Sequence, residues 1–224
     1  MSTLPLKSVT IAMLAVIVVP LTARGDEARG LAQAGSRQGQ WAIVAQASAD
    51  DDQPSDADRL FSEAFQHWRR GEYPIALEKL QTALELYRQA GDRQGENRTL
   101  TGLGAINDSQ GQYSEALRYY QQSLAIAQEI GDRAGEGVSL NNIGFIYSSL
   151  SQYTEALDYY QQSLAILQEI GDRAGEGGSL NNIGFIYSSL GQYTEALDYY
   201  QQSLAIRQEI GDRAGEGGSL NNIG

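Results

Sequence analysis

From Asp58 onward, apolar residues return three or four positions apart, the spacing of one face of an α-helix rather than the alternation of a strand. Ala76, Leu77, Leu80, Ala83, Leu84 and Tyr87 form one such stripe, and Ala64, Phe65 and Trp68 a shorter one before it. Gly71-Glu72-Tyr73 separates the two stripes and Gly91-Asp92-Arg93 follows the second, so the pattern predicts helix, turn, helix, turn. The text then recurs with a period of forty residues. Residues 139–178 and 179–218 differ at two of forty positions, Ser151 against Gly191 and Leu167 against Arg207. A unit of this length cannot bury its apolar face alone and must stack on its neighbours as a solenoid.

Several positions in the unit carry a physical expectation. Gly144 and Ala156 are small where two helices must approach closely, and Tyr147 and Tyr160 are large enough to fill the space between units. Gly191 marks a turn that wants a left-handed backbone, where a side chain costs about 1 kcal/mol, so Ser151 should weaken the third unit. Asp172, after Gly171, is placed to cap the next helix. Gly175, Gly177 and Gly178 fall in the opening turns of that helix. Gly175 suits a tight contact, whereas Gly177 and Gly178 have no evident packing role and predict a frayed start and a flexible joint. Arg207, standing where Leu167 and Ala127 stand, suggests an exposed position and hence a solvent-facing Leu167.

Ahead of the array the pattern changes. Lys7 precedes Val9 to Leu21, thirteen mostly apolar residues that are too few to span a bilayer comfortably and fit a signal peptide within residues 1–34. That layout makes the chain exported, periplasmic or extracellular, or membrane-anchored if the segment stays uncleaved. Residues 35–57, with Asp50-Asp51-Asp52, Pro54 and Asp56, read as an acidic flexible linker.

The repeat resembles the tetratricopeptide repeat in its forty-residue form, as in kinesin light chain and many bacterial arrays. The match rests on Ile143, Gly144, Tyr147, Ser151, Tyr153, Ala156, Tyr160 and Leu164, echoed by Ile183, Gly184, Tyr187, Gly191, Tyr193, Ala196, Tyr200 and Leu204. It covers residues 58–224 as units of about 58–98, 99–138, 139–178 and 179–218 with the start of a fifth. Glu63 and His67 depart from the pattern, making the first unit a divergent cap. The resemblance implies an all-α, right-handed superhelical solenoid of antiparallel helix pairs whose first helices line a concave groove.

On that groove the resemblance puts Asn141, Asn142, Phe145, Ser148 and Ser149 of the third unit and Asn181, Asn182, Phe185, Ser188 and Ser189 of the fourth. In related arrays Asn at the positions of Asn142 and Asn182 contacts bound peptide. A carboxamide both donates and accepts, so a series of Asn can hold an extended backbone while Phe anchors an apolar side chain. The second unit has Thr101, Gly102 and Asp108 instead, so the groove should begin at the third. The expected partner is a protein or extended peptide.

Charge and composition narrow the alternatives. Sixteen Lys and Arg against 28 Asp and Glu give a net charge of −12, which disfavours nucleic acid and anionic lipid. Glu155, Asp158 and Glu169 read as a solvated face, with a basic partner as the minor alternative. There is no Cys, and His67 is the single histidine, so no thiolate or histidine pair exists for nucleophilic or metal chemistry. GDRAGEGG lacks the preceding strand and the Lys of a phosphate loop. No cofactor, metal or catalytic residue is expected.

The text stops at Leu220-Asn221-Asn222-Ile223-Gly224 inside a first helix, an uncapped end that reads as a fragment or, if final, as a face for end-to-end self-association. The leading function is a non-catalytic scaffold holding a peptide or protein partner in the concave groove. The alternative is a regulatory or sensory arm of a longer protein whose effector, for example a caspase-like CHAT protease domain, lies outside this chain.

Overall fold

The computed structural model describes residues 55–223, and the expected export segment and nearly all of the acidic linker lie outside that range. The described residues form helices joined by tight turns: α1 (Asp56–Arg69), α2 (Tyr73–Ala90), α3 (Arg93–Ser109), α4 (Tyr113–Ile130), α5 (Arg133–Ser149), α6 (Tyr153–Ile170), α7 (Arg173–Ser189), α8 (Tyr193–Ile210) and α9 (Arg213–Ile223). They pair as α1–α2, α3–α4, α5–α6 and α7–α8, each pair packs on the next, and α9 packs on α8. Ser55 caps α1, so the array starts at Asp56 rather than Asp58. Boundaries drawn after residues 98, 138 and 178 fall within α3, α5 and α7; the structural unit instead opens at Arg93, Arg133 and Arg173.

Each unit is bounded by the same two devices. Asp92, Asp132, Asp172 and Asp212 cap the first helices by accepting from the backbone N–H three residues on, at 2.8, 2.9, 3.0 and 3.0 Å. The donor is glycine every time. A methyl group on Gly175 would lie 2.6 Å from the Asp172 carboxylate and 2.8 Å from Leu167 Cδ2, so this glycine does permit a tight contact. The turn between paired helices takes a left-handed residue, Gly71, Gly111 and Gly191 in three units and Ser151 in the third, at φ 59°. Ser151 is the one non-glycine residue with positive φ among those described. Ser151→Gly should raise the stability of the third unit by about 1 kcal/mol, read as a higher urea midpoint at unchanged slope; a lower midpoint would remove strain from the account.

The core runs between helix layers. Gly144 lies beneath the ring of Tyr160, where an added Cβ would sit 2.9 Å from Tyr160 Cδ1 and 3.2 Å from the Ala156 carbonyl oxygen. The same ring packs with Ile183 and Ile186 of the next unit, so Tyr160 joins the helices of its own unit and the units to each other. Tyr147 stacks on Tyr159 at 5.3 Å between centroids, as Tyr187 does on Tyr199.

A buried polar seam crosses each joint from the second unit onward, whereas at the first joint Ala83 stands where Ser123 does. Ser123 meets Ser139 at 3.0 Å, Ser163 meets Ser179 at 3.3 Å and Ser203 meets Ser219 at 3.0 Å. Ser163 also donates to the Gly137 carbonyl at 2.8 Å and Ser203 to the Gly177 carbonyl at 2.7 Å. Gly177 therefore has the packing role denied to it from sequence. It is buried, and its carbonyl feeds the seam. Gly178 has open space beside it and gains no such reason.

Leu167 is likewise corrected. It is 3% exposed, packed over Gly175 and Gly137 of the two flanking first helices, and the equivalent Ala127 is fully buried. Arg207 occupies the same place without being solvent-facing, with its side chain 18% exposed. Its guanidinium donates to Asp212 at 2.8 Å and to Ser203 at 3.2 Å, which supplies the partners that burial of a charge requires.

Candidate functional site: the concave face

Successive first helices, α1 to α3, α3 to α5 and α5 to α7, approach one another along more of their length than successive second helices do, which places them on the inside of the curve. From Val138 to Leu150 and from Gly178 to Leu190 these helices contain no Asp, Glu, Lys or Arg, although the chain as a whole carries −12. The charges lie at the ends and on the second helices. Arg133 bridges Glu136 and Glu169, each at 2.5 Å, and Arg173 reaches Glu209 at 2.5 Å. Glu169 is thus exposed yet ion-paired, whereas Glu155 and Asp158 face solvent. His67 is half-buried, with Nδ1 2.5 Å from Glu72. Among the described residues no three His, Asp or Glu side chains gather as a metal ion would require, and no helix is long and apolar enough to cross a membrane.

The asparagines do not act as adjacent pairs. Asn182 Nδ2 donates to Asn141 Oδ1 at 3.0 Å, and Asn222 Nδ2 donates to Asn181 Oδ1 at 3.0 Å. Each bond joins the second Asn of one unit to the first Asn of the unit before it, so the carboxamides form rungs across neighbouring helices. Asn222 belongs to this set and was missing from the sequence-based site, although the repeated Asn221-Asn222 was its signal. Each rung uses one N–H and one oxygen. The Asn141 amide nitrogen and the Asn182 oxygen stay uncommitted on half-exposed residues, a donor and an acceptor side by side.

Asn142 behaves differently. It is 2% exposed, and neither its nitrogen nor its oxygen has a hydrogen-bond partner. The residue that would complete its rung is Thr101, whose hydroxyl bonds the Asn97 carbonyl at 3.1 Å and Ser123 Oγ at 2.8 Å instead. Phe145 and Phe185 are half-buried, leaning into the joints beside Tyr147 and Tyr187. Ser149 and Ser189, both exposed, turn their hydroxyls back onto the carbonyls of Phe145 and Phe185 at 3.0 and 2.9 Å. Ser148, half-buried, hydrogen-bonds Tyr160, whose phenol burial pushes up and this contact lowers, with a net upward shift; Ser188 is half-buried at the same place in the next unit.

The tetratricopeptide repeat model matches residues 59–129, 109–169, 135–209 and 175–224, together nearly the whole described array. The chain belongs to the tetratricopeptide repeat family. No curated protein matches its sequence. Among solved structures, BtubC from P. vanneervenii superposes with a TM-score of 0.67 at 21% identity, over 88% of this chain and 76% of that one. Aspartyl phosphate phosphatase F from Bacillus subtilis gives 0.68 at 20%, over 84% and 51%. A signal transduction ATPase with numerous domains and a tetratricopeptide repeat sensor, from Pyrococcus horikoshii, gives 0.67 at 19%, over 88% and 31%. These likenesses show a right-handed helical solenoid, and tetratricopeptide repeats in general serve protein–protein contact.

Proposed function

We propose that this array is a non-catalytic scaffold whose concave face, across the third and fourth units, holds an extended segment of a protein partner. The Asn141–Asn182 rung carries the reading. It leaves a donor and an acceptor uncommitted on neighbouring carboxamides, the two functions that a peptide group can engage, and the Asn181–Asn222 rung repeats the offer one unit on. Helix axes pack about 8–10 Å apart and an extended chain rises about 3.3 Å per residue, so successive rungs meet peptide groups roughly three residues apart. The absence of charge along the face favours recognition through backbone and apolar side chains, with Phe145 and Phe185 as anchors.

A photo-crosslinking side chain at Phe145 or Phe185 should trap a partner that the same group at Asp158, on the outer second helix, does not. Asn182→Ala should weaken capture about tenfold, the equivalent of one or two hydrogen bonds, with helical circular dichroism unchanged. Equal capture from Asp158 would overturn the assignment. A second reading, the array as the sensory arm of a longer protein, draws on the Pyrococcus protein, of which this chain spans 31% and whose own repeat is a sensor. Export of the chain, by the leader in residues 1–34, belongs to the same proposal.

A further inference from the structure

The third and fourth units each hold a pair of tyrosines face to face. Tyr147 of α5 lies over Tyr159 of α6, and Tyr187 of α7 over Tyr199 of α8, with ring centroids 5.3 Å apart and planes 7° from parallel in both pairs. All four rings are half-exposed, within reach of small solutes. Within each pair the phenols share a hydrogen bond, so the hydroxyls stand side by side and the ring carbons flanking them are neighbours. The same positions in the earlier units hold no such pair. In the second, Asn107 stands where Tyr147 does and the Arg118 guanidinium covers the Tyr119 ring at 4.2 Å; in the first, His67 and Lys79 take both places. Where the pairs occur, Asp158 and Asp198 replace Arg118, which removes a cation that opposes loss of an electron from the ring.

Residues 55–223 contain neither Cys nor Met, the side chains that oxidants readily consume. Oxidation of the array therefore falls on its aromatic rings, of which Tyr87, Tyr120, Tyr160 and Tyr200 are buried away from solvent. We propose that Tyr147–Tyr159 and Tyr187–Tyr199 are sites of oxidative cross-linking, each pair joining as dityrosine under a peroxidase-type one-electron oxidant that draws on hydrogen peroxide. Burial, and next the neighbouring phenol, raise the Tyr159 and Tyr199 hydroxyls above the ordinary phenol value, so these groups are neutral at neutral pH and lose a proton with the electron. Each ring gives one electron to the oxidant and one proton to water. The two phenoxyl radicals then join through the carbons ortho to their oxygens, and the displaced ring hydrogens shift to oxygen to restore both phenols. One hydrogen peroxide is reduced to two waters for each link. The product ties first helix to second across the turn at Ser151 and its counterpart at Gly191, a bond that thiol reductants do not reverse. In the two units that carry the asparagine rungs, it fixes the helix pair whose first member supplies the concave face.

The full chain at low micromolar concentration, treated with a haem peroxidase and hydrogen peroxide, should gain dityrosine fluorescence while keeping a single-chain mass in denaturing electrophoresis. Rings held in contact react without a diffusive encounter, so links within the chain should exceed links between chains at least about tenfold. Cleavage after Glu155 and Glu195 parts the rings of each pair, so a link appears as joined peptides lighter by two hydrogens, and Leu167 and Arg207 distinguish the two links by mass. Tyr147→Phe, which keeps the ring and the stack, should abolish the first link and leave the second; Tyr187→Phe should do the reverse. Tyr193, 72% exposed, is the internal control, because coupling governed by exposure alone would use it first. Absence of dityrosine, links centred on Tyr193, links chiefly between chains, or a yield unchanged by Tyr147→Phe and Tyr187→Phe together would overturn the proposal. The same pattern of links in the urea-unfolded chain would overturn it too, since the folded stack would then play no part.

Discussion

Tyr160→Ala should destabilise the array by about 3–5 kcal/mol, the range for deleting a buried aromatic ring. The ring is buried, covers Gly144 within its own unit and contacts Ile183 and Ile186 of the next. Its loss removes the filler from two interfaces at once, and because Gly144 has no side chain, nothing on α5 can swing in to close the gap. In an array whose stability is a sum of unit and nearest-neighbour terms, the damage concentrates at one joint. Urea unfolding of the variant should therefore split into two transitions, the units before the joint separating from those after it. A single transition displaced by less than about 1 kcal/mol would show that the joint is held by something other than this ring.

The second large effect is at Leu167. Leu167→Ala should cost about 2–4 kcal/mol, because the side chain fills the space over Gly137 and Gly175. A solvent-facing leucine would change stability by no more than about 0.5 kcal/mol, so the measurement separates the two placements cleanly. Arg207→Ala makes the instructive comparison. It strips the hydrogen bonds to Asp212 and Ser203 from a side chain that is more exposed, and it should cost less. A Leu167→Ala variant as stable as the parent would return that position to the surface.

The period, the helix pairs, the Asp caps and the close approach at Gly144 were legible in the sequence, because each depends on residues within one or two helical turns or recurs in every unit. Position 167 was misread for a definable reason. An Arg at an equivalent place suggests exposure, but a guanidinium can be half-buried when a neighbouring cap carboxylate and a seam hydroxyl receive it. Gly177 was misjudged because its use lies in its carbonyl, and Ser203, the donor, is twenty-six residues away. The asparagine rungs were hidden in the same way. Their partners stand forty-one residues apart, an offset fixed by how units stack rather than by anything within one. Adjacent Asn in the text suggested adjacent action, and three-dimensional stacking assigned one to each neighbour. Of the asparagines expected in the groove, Asn141 and Asn182 are joined by a hydrogen bond, Asn181 pairs with Asn222, and Asn142 is withdrawn from solvent.

The near-identity of residues 139–178 and 179–218 covers the residues of four recurring contacts, the seam serine, the capped glycine, the tyrosine over its glycine and the asparagine rung, and departs at a joint only where Arg207 replaces Leu167. A further in-frame duplication of those forty residues would arrive with both of its joints already complementary, needing no compensating change elsewhere. Each added copy would lengthen the concave face by one rung and one phenylalanine. The architecture thus behaves as a ruler, in which the length of segment that can be measured off is set by copy number rather than by the invention of new side chains.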